Sequence, residues 1–119
     1  MDNQDLAQQL ATLEEGDEVT FTTKGGETFE TRLEEDAEVY IPEQLPQHDG
    51  FMYADRVLLI DPVEVINVDG TDKPYEALKF TCKERNDVWD NVRMEAYYYV
   101  NDRYKSDTIE VVDSSDESA

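Results

Sequence analysis

The side chains with the clearest capacity for chemistry are cations and tyrosines that alternate along the C-terminal half of the chain. Tyrosine rings can stack on nucleic-acid bases while lysine and arginine meet phosphates, and Tyr and Arg are also preferred anchors of protein interfaces. Alternation over 76–83 and 92–100 places most of these side chains on one sheet face. The predicted partner-binding residues are Lys79, Lys83, Arg93, Tyr97, Tyr99 and Tyr104.

Three interpretations of this face remain open. The first, which we favour, is a surface that binds another protein. The second is an RNA- or single-stranded-DNA-binding surface, in which stacking would dominate at high salt because counterion release then gains little. The third is cross-strand pairing alone, with Lys79 or Lys83 beside Glu95 and tyrosine rings covering neighbouring side chains.

Other reactive side chains give weaker signals. His48 and Asp49 stand together in a Pro/Gly-containing loop, but catalysis would also need a nucleophile and charge-stabilising donors, and no motif supplies them. Cys82 is in phase with Leu78 and Phe80, which predicts a small core residue. The acidic run 34–38 lacks the ligand spacing of a calcium loop and indicates a solvated segment. The sequence therefore predicts a protein that is not an enzyme and has no metal or cofactor.

The charge balance is extreme, with 30 Asp and Glu against 10 Lys and Arg and a net charge of −20. For a sphere of roughly 17 Å radius, the self-repulsion is on the order of 16 kcal/mol at physiological salt and about 7 kcal/mol at molar salt. This composition resembles cytoplasmic proteins of extremely halophilic archaea. The alternative is an acidic nucleic-acid mimic that blocks a DNA-binding protein.

The elements that must position these residues are mostly strands. Residues 2–15 have leucines at helical spacing and predict a short helix that ends at Gly16. Residues 16–33 alternate on both sides of Gly25-Gly26, which indicates a hairpin with a primed turn. Val19 and Phe21 share the inner face of its first strand. We predict a mainly β fold, with a short N-terminal helix followed by a small antiparallel barrel or curled sheet of about six to seven strands.

Further strands are predicted at 39–41, 57–60, 63–68, 76–83, 92–100 and 108–112. The apolar phase changes between Val65 and Ile66, which suggests a bulge. Trp89 lies in the connection between Arg85 and Asn91 and either folds back on the core or stands exposed. The expected organisation is one domain over 1–112, β-rich from 17, with a disordered acidic tail at 113–119.

The opening of the chain resembles that of Sm-like proteins and of SH3-like small barrels in general, over about residues 6–36. The matching positions are Leu10, Leu13, Gly16, Val19, Phe21, Gly26, Phe29, Leu33 and Asp36. The resemblance implies a small barrel. It does not carry over an RNA site, because the Asn after the Asp and the Arg-Gly pair that serve Sm-like proteins have no counterpart in this chain.

The single cysteine and the absence of a signal peptide or long apolar run lead us to expect a cytoplasmic protein without membrane association. A protein partner is expected, nucleic acid is an alternative, and a homodimer through exposed strand edges is left open. The favoured function is thus a non-enzymatic interaction module of an extreme halophile or its virus.

The charge generates a first prediction. Circular dichroism and Trp89 emission should show an unfolded chain at physiological ionic strength and a folded one in molar KCl, because screening removes several kcal/mol of repulsion. A fully folded monomer at low salt would contradict salt adaptation and would favour a cationic partner instead.

Overall fold

The computed structural model describes residues 2–42 and 54–116, which form one helix and eight antiparallel strands. The fold is therefore mainly β with a short N-terminal helix, as predicted. The elements are α1 (Asn3–Leu10), β1 (Glu18–Thr23), β2 (Thr28–Leu33), β3 (Glu38–Tyr40), β4 (Arg56–Asp69), β5 (Ala77–Arg85), β6 (Val88–Trp89), β7 (Val92–Val100) and β8 (Arg103–Asp116).

Six of these strands close into a ring. The sheet order is β3-β4-β2-β1-β8-β7-β5-β6, and an additional pairing of β4 with β5 joins the two halves. The ring therefore runs β1-β2-β4-β5-β7-β8 and returns to β1, with the short strands β3 and β6 attached to β4 and β5. Because the ring has an inside, the alternating apolar side chains of every ring strand meet in one core.

The hairpin of β1 and β2 forms as predicted, with Val19 and Phe21 facing Thr31 and Phe29 in register. All four side chains are buried. The turn differs from the predicted primed type. It contains four residues, 24–27, and of its two glycines only Gly26 has a positive φ, of 95°. The amide of Gly26 donates to the Thr23 carbonyl at 3.0 Å, which closes the turn.

Strand β4 is continuous from Arg56 to Asp69, although Pro62 was expected to separate two strands. Its pairing with β5 shifts register between Ile60 and Val63, so that Pro62, which cannot donate to a ladder, lies at an irregularity. The bulge predicted at Val65 and Ile66 is present. Thr31 pairs with Val65 and Glu30 with Asn67, which leaves Ile66 as the extra residue.

The helix is shorter than predicted and ends at Leu10 rather than near Gly16. Residues 11–17 instead turn back toward β1, and the Gly16 amide donates to the Leu33 carbonyl at 2.8 Å. The leucine stripe still serves its expected purpose, since Leu6, Leu10 and Leu13 are all buried. The helix covers the end of the ring where β7 begins and β8 ends.

Two hairpin connections use the same dipeptide. Asn86-Asp87 joins β5 to β6, and Asn101-Asp102 joins β7 to β8, with φ between 53° and 63° at all four residues. Asn and Asp tolerate this left-handed region better than most residues. The second turn was not recognised in the sequence. The observed β8 begins at Arg103 rather than at the predicted Thr108, and it pairs with β7 along the whole length of β7.

The predicted disordered tail also begins too early. Residues 113–116 belong to β8 and pair with β1, where Ser114 lies opposite Phe21. Residues 117–119 lie outside the described part of the chain. The alternative in which Trp89 folds back is correct, since its side chain is 7% exposed and lies in the core.

A core substitution tests the role of the helix as a lid. Leu10→Ala should lower the free energy of unfolding by about 2–4 kcal/mol, because it removes a fully buried side chain and leaves a cavity. Urea titration, in KCl at a concentration that keeps both proteins folded, measures this free energy of unfolding. The control Ile66→Ala, at the 48% exposed bulge position, should change stability by less than about 0.5 kcal/mol. Equal effects of the two substitutions would contradict the lid.

Candidate functional site

All six predicted partner-binding residues lie on the outward phase of β5, β7 and β8. Lys79 pairs with Glu95, Thr81 with Arg93, and Tyr99 with Tyr104 in the two ladders. They do not form one continuous site. The tyrosines gather at one end of the hairpin, and Arg93 lies about 20 Å away from Tyr99 at roughly 3.3 Å per residue. Lys83 and Arg93 line a small dent with Asp90 and Asn91.

Tyr104 contacts both of the other tyrosines, and the three form what we call the tyrosine patch: Tyr97, Tyr99 and Tyr104. The rings of Tyr97 and Tyr104 stack with centroids 5.6 Å apart at 16°, and Tyr99 meets Tyr104 edge-on at 4.6 Å. Tyr99 and Tyr104 are 54% and 50% exposed. Large aromatic rings in mutual contact yet half open to solvent are typical of a binding surface.

The backbone explains why the patch is exposed. The pairing of β5 with β7 ends where Ala77 faces Tyr97, whereas β7 and β8 continue together to the Asn101-Asp102 turn. The segment Tyr98–Val100 therefore has β8 as its only strand neighbour in the described chain. The patch lies on this projecting hairpin, at the opposite end of β7 from the helix.

Carboxylates border the patch. Partial burial is the main cause that raises the pKa of Tyr97, and the charges of Glu95 and Asp61 raise it further. Burial likewise raises the pKa of Tyr104, followed by the charge of Glu76. The phenols therefore stay protonated at neutral pH and can donate hydrogen bonds. Glu95 lies two positions before Tyr97 on the same face of β7, and the Glu76 amide donates to the Tyr97 carbonyl at 2.8 Å. We call these two carboxylates, together with Asp61 of β4, the acidic rim.

The cations do not surround the tyrosines in the way the sequence suggested. Lys79 lies opposite Glu95, as the cross-strand interpretation requires, although no ion pair joins them in the described structure. Arg103 and Lys105 alternate to the reverse face of the hairpin, where they pair with Val100 and Tyr98. The immediate border of the patch is thus acidic rather than basic.

The reverse face carries a cluster that sequence reasoning missed. Lys73 Nζ and the Tyr75 hydroxyl both donate to Asp107 Oδ2 at 2.6 Å, and Lys73 Nζ lies 5.2 Å from the centroid of the Tyr98 ring. Tyr75 in turn packs edge-on against Tyr98 with centroids 5.5 Å apart. Lys73 and Tyr75 lie in the connection before β5, more than 20 positions from Tyr98 on β7 and Asp107 on β8, so no local pattern predicts their meeting.

A groove of about 540 Å³ lies near the helix and is lined by residues that include Asn3, Glu84 and Trp89. Of the predicted site it includes only Lys83. One of its polar groups serves a structural contact, since the buried Glu84 carboxylate accepts two hydrogen bonds from Arg56, whose guanidinium lies 5.5 Å from the centroid of the Trp89 ring.

Cys82 is a core residue, as predicted. Its side chain is 2% exposed, and its thiol donates to the Asp90 carbonyl at 3.1 Å. Burial raises the pKa of the Cys82 thiol to about 12, which keeps it protonated and unreactive at neutral pH.

The remaining candidates from the sequence are the His48–Asp49 pair and the acidic run 34–38. His48 and Asp49 lie outside the described residues. Within residues 2–42 and 54–116, no group of three or more His, Cys, Asp or Glu side chains could hold a metal ion. In the acidic run, Asp36 Oδ1 accepts a hydrogen bond from the Glu15 amide at 2.7 Å and so ties the segment after the helix to the end of β2.

Comparison of the chain with protein-family profiles, curated proteins and solved structures returns no match. In the part of the chain that the structure describes, no helix is long and apolar enough to cross a membrane.

The cluster on the reverse face generates a pH prediction. The hydrogen bond from Lys73, and then that from Tyr75, lower the pKa of Asp107 below its ordinary value. A lowered folded-state pKa stabilises the fold above the unfolded pKa, and this contribution disappears as the pH falls through the folded value. Asp107→Asn should therefore be less stable than the wild type at pH 7, and the difference should vanish in acid.

Denaturant titration at several pH values, in KCl that keeps both proteins folded, measures this difference. Asp72→Asn is the matched control, since it removes a carboxylate near Lys73 that makes no hydrogen bond or ion pair in the described structure. A pH-independent difference for Asp107→Asn would show that its charge is not what stabilises the fold.

Proposed function

We propose that this protein is a small, non-enzymatic interaction module that binds a protein partner through the tyrosine patch. One observation carries the proposal, namely that the Tyr104 ring contacts the rings of both Tyr97 and Tyr99 on a projecting hairpin while Tyr99 and Tyr104 remain half exposed. Tyrosine is among the residues most enriched at the energetic centres of protein interfaces. The proposed site is therefore the tyrosine end of the predicted face, and it leaves out the lysines and the arginine of that face.

The binding free energy available from covering the tyrosine patch is sufficient for recognition. A fully buried aromatic side chain removes about 150–250 Å² from water, so covering the exposed halves of Tyr99 and Tyr104 removes roughly 100 Å² each. At about 25 cal/mol per Å² this is on the order of 5 kcal/mol before the entropic cost of association. That amount supports a reversible complex once surrounding contacts are added.

The acidic rim favours a protein over a nucleic acid. Phosphates approaching Tyr97 and Tyr104 would meet Asp61, Glu76 and Glu95, in a chain of net charge −20. The nucleic-acid mimic also has less support, because a mimic needs unbroken rows of carboxylates. On the opposite side of the ring, Arg32 pairs with both Glu18 and Glu64 and interrupts such a row.

We also propose, as the sequence suggests, that the fold is of the Sm-like or SH3-like small-barrel kind and that the protein works in the cytoplasm of a halophilic cell or its virus. The order of helix, hairpin and closed antiparallel ring supports the first proposal, and the net charge of −20 supports the second.

Differential capture tests the binding function. Tagged wild type should retain a specific partner from a halophile lysate in molar KCl, and Tyr97→Ala combined with Tyr99→Ala should lose that partner, because the centre of the interface is removed. Circular dichroism must show that the variant is folded.

The control variant combines Ile66→Ala with Val88→Ala, which removes two exposed apolar side chains elsewhere. It should retain the partner. Equal capture by the tyrosine variant and the wild type would refute the assignment of the patch.

A further inference from the structure

We propose that the partner segment recognised by the tyrosine patch is basic and extended, with arginine or lysine side chains that lie over the tyrosine rings and point into the acidic rim. This inference rests on the proposed function and adds the chemistry of the partner.

The molecule already contains this arrangement twice, each time completed by its own cation. On the reverse face of the hairpin, Lys73 lies 5.2 Å from the Tyr98 ring centroid while its ammonium donates to Asp107. Near the helix, Arg56 lies over the Trp89 ring while its guanidinium binds Glu84. In both places an aromatic face and a carboxylate hold one cation together.

The tyrosine patch also has aromatic rings beside carboxylates, but it lacks the cation that completes the other two sites. Its rings are Tyr97, Tyr99 and Tyr104. Glu95 lies two positions before Tyr97 on the same face of β7, and the Glu76 amide donates to the Tyr97 carbonyl at 2.8 Å, which places both residues beside the patch. Among the described residues, no cation lies over any of these three rings. Lys79, which faces Glu95 across the β5–β7 ladder, does not lie over a ring. A cation attracted both by ring quadrupoles and by neighbouring carboxylates would complete the site, and we assign it to the partner.

The backbone indicates that the partner is extended. β7 continues past its last β5 partner, so Tyr98, Tyr99 and Val100 present one strand edge with no strand beside it in the described chain. An added strand can pair with such an edge while its alternate side chains reach one face. For β7 that face is the tyrosine patch.

Charge complementarity selects among possible occupants. A second copy of this chain would bring a further charge of −20 to the rim, and an oligonucleotide would bring phosphates. A basic peptide is attracted by the rim at long range and held by the rings at short range. Because stacking of a cation on a ring acts at contact distance, this recognition persists in concentrated salt better than surface ion pairing does.

Binding of defined peptides tests the inference. The probes are a fluorescent decapeptide alternating arginine with serine, its glutamate-serine counterpart, and a dT10 oligonucleotide, each titrated at the lowest KCl concentration at which the protein is folded. We expect saturable binding of the arginine peptide alone. Tyr97→Ala combined with Tyr99→Ala should weaken that binding on the order of tenfold.

The rim is tested separately. Asp61→Asn combined with Glu76→Gln should weaken binding about threefold to fivefold, with the effect declining as KCl is raised. Glu30→Gln combined with Glu34→Gln is the charge-matched control, because Glu30 lies on β2, three strands from β7 in either direction around the ring. This control should bind as the wild type does.

Each contrary outcome has its own meaning. Equal weakening by the rim variant and its control would show attraction by net charge alone and overturn the inference. Preferential binding of dT10 would replace the basic peptide by nucleic acid. If the tyrosine variant loses its captured partner but no basic peptide binds, the proposed function stands and this inference fails. If the arginine peptide binds without regard to the tyrosines, both fail.

Discussion

Closure of the sheet through the pairing of β4 with β5 is the constraint on which the rest of the structure depends. Once β4 pairs with β2 along one part and with β5 along another, every ring strand has two neighbours and the alternating side chains have a common interior. The register shift beside Pro62 lets one long strand serve both partners. The helix then needs only to cover one end of the ring, with Leu6, Leu10 and Leu13.

The same closure separates the chain's apolar groups from its charge. The core includes Phe21, Phe29 and Phe80, all fully buried, while the carboxylates are carried mainly on the outside. Lys24, Arg32, Arg56 and Lys73 form ion pairs with carboxylates in the described structure. With 10 Lys and Arg against 30 Asp and Glu, most of the negative charge has no basic side chain to compensate it. Stability must therefore come from burial and from screening by the solvent.

Because the stability of this protein depends on burying apolar surface, an exposed aromatic patch forgoes burial energy that binding to a partner would recover. Tyr97, Tyr99 and Tyr104 gain contact with one another, but their outer surfaces remain in water. The cross-strand interpretation accounts for the position of Lys79 opposite Glu95. It does not account for three tyrosines gathered where the hairpin leaves the ring, which is why we propose that a partner binds there.

Alternation alone determined much of this protein. It identified the β1–β2 hairpin, the buried phase of Leu78, Phe80 and Cys82, the pairing of β5 with β7, and the bulge at Ile66, because each depends only on which face a side chain takes within a strand. Tertiary structure decided the rest. Where a helix or strand ends depends on what it packs against, so α1 stopped at Leu10 and β8 ran from Arg103 to Asp116. The acidic border of the tyrosines arises in part because pairing of β5 with β7 brings Glu76 beside Tyr97, where its amide donates to the Tyr97 carbonyl, and no local pattern contains that information.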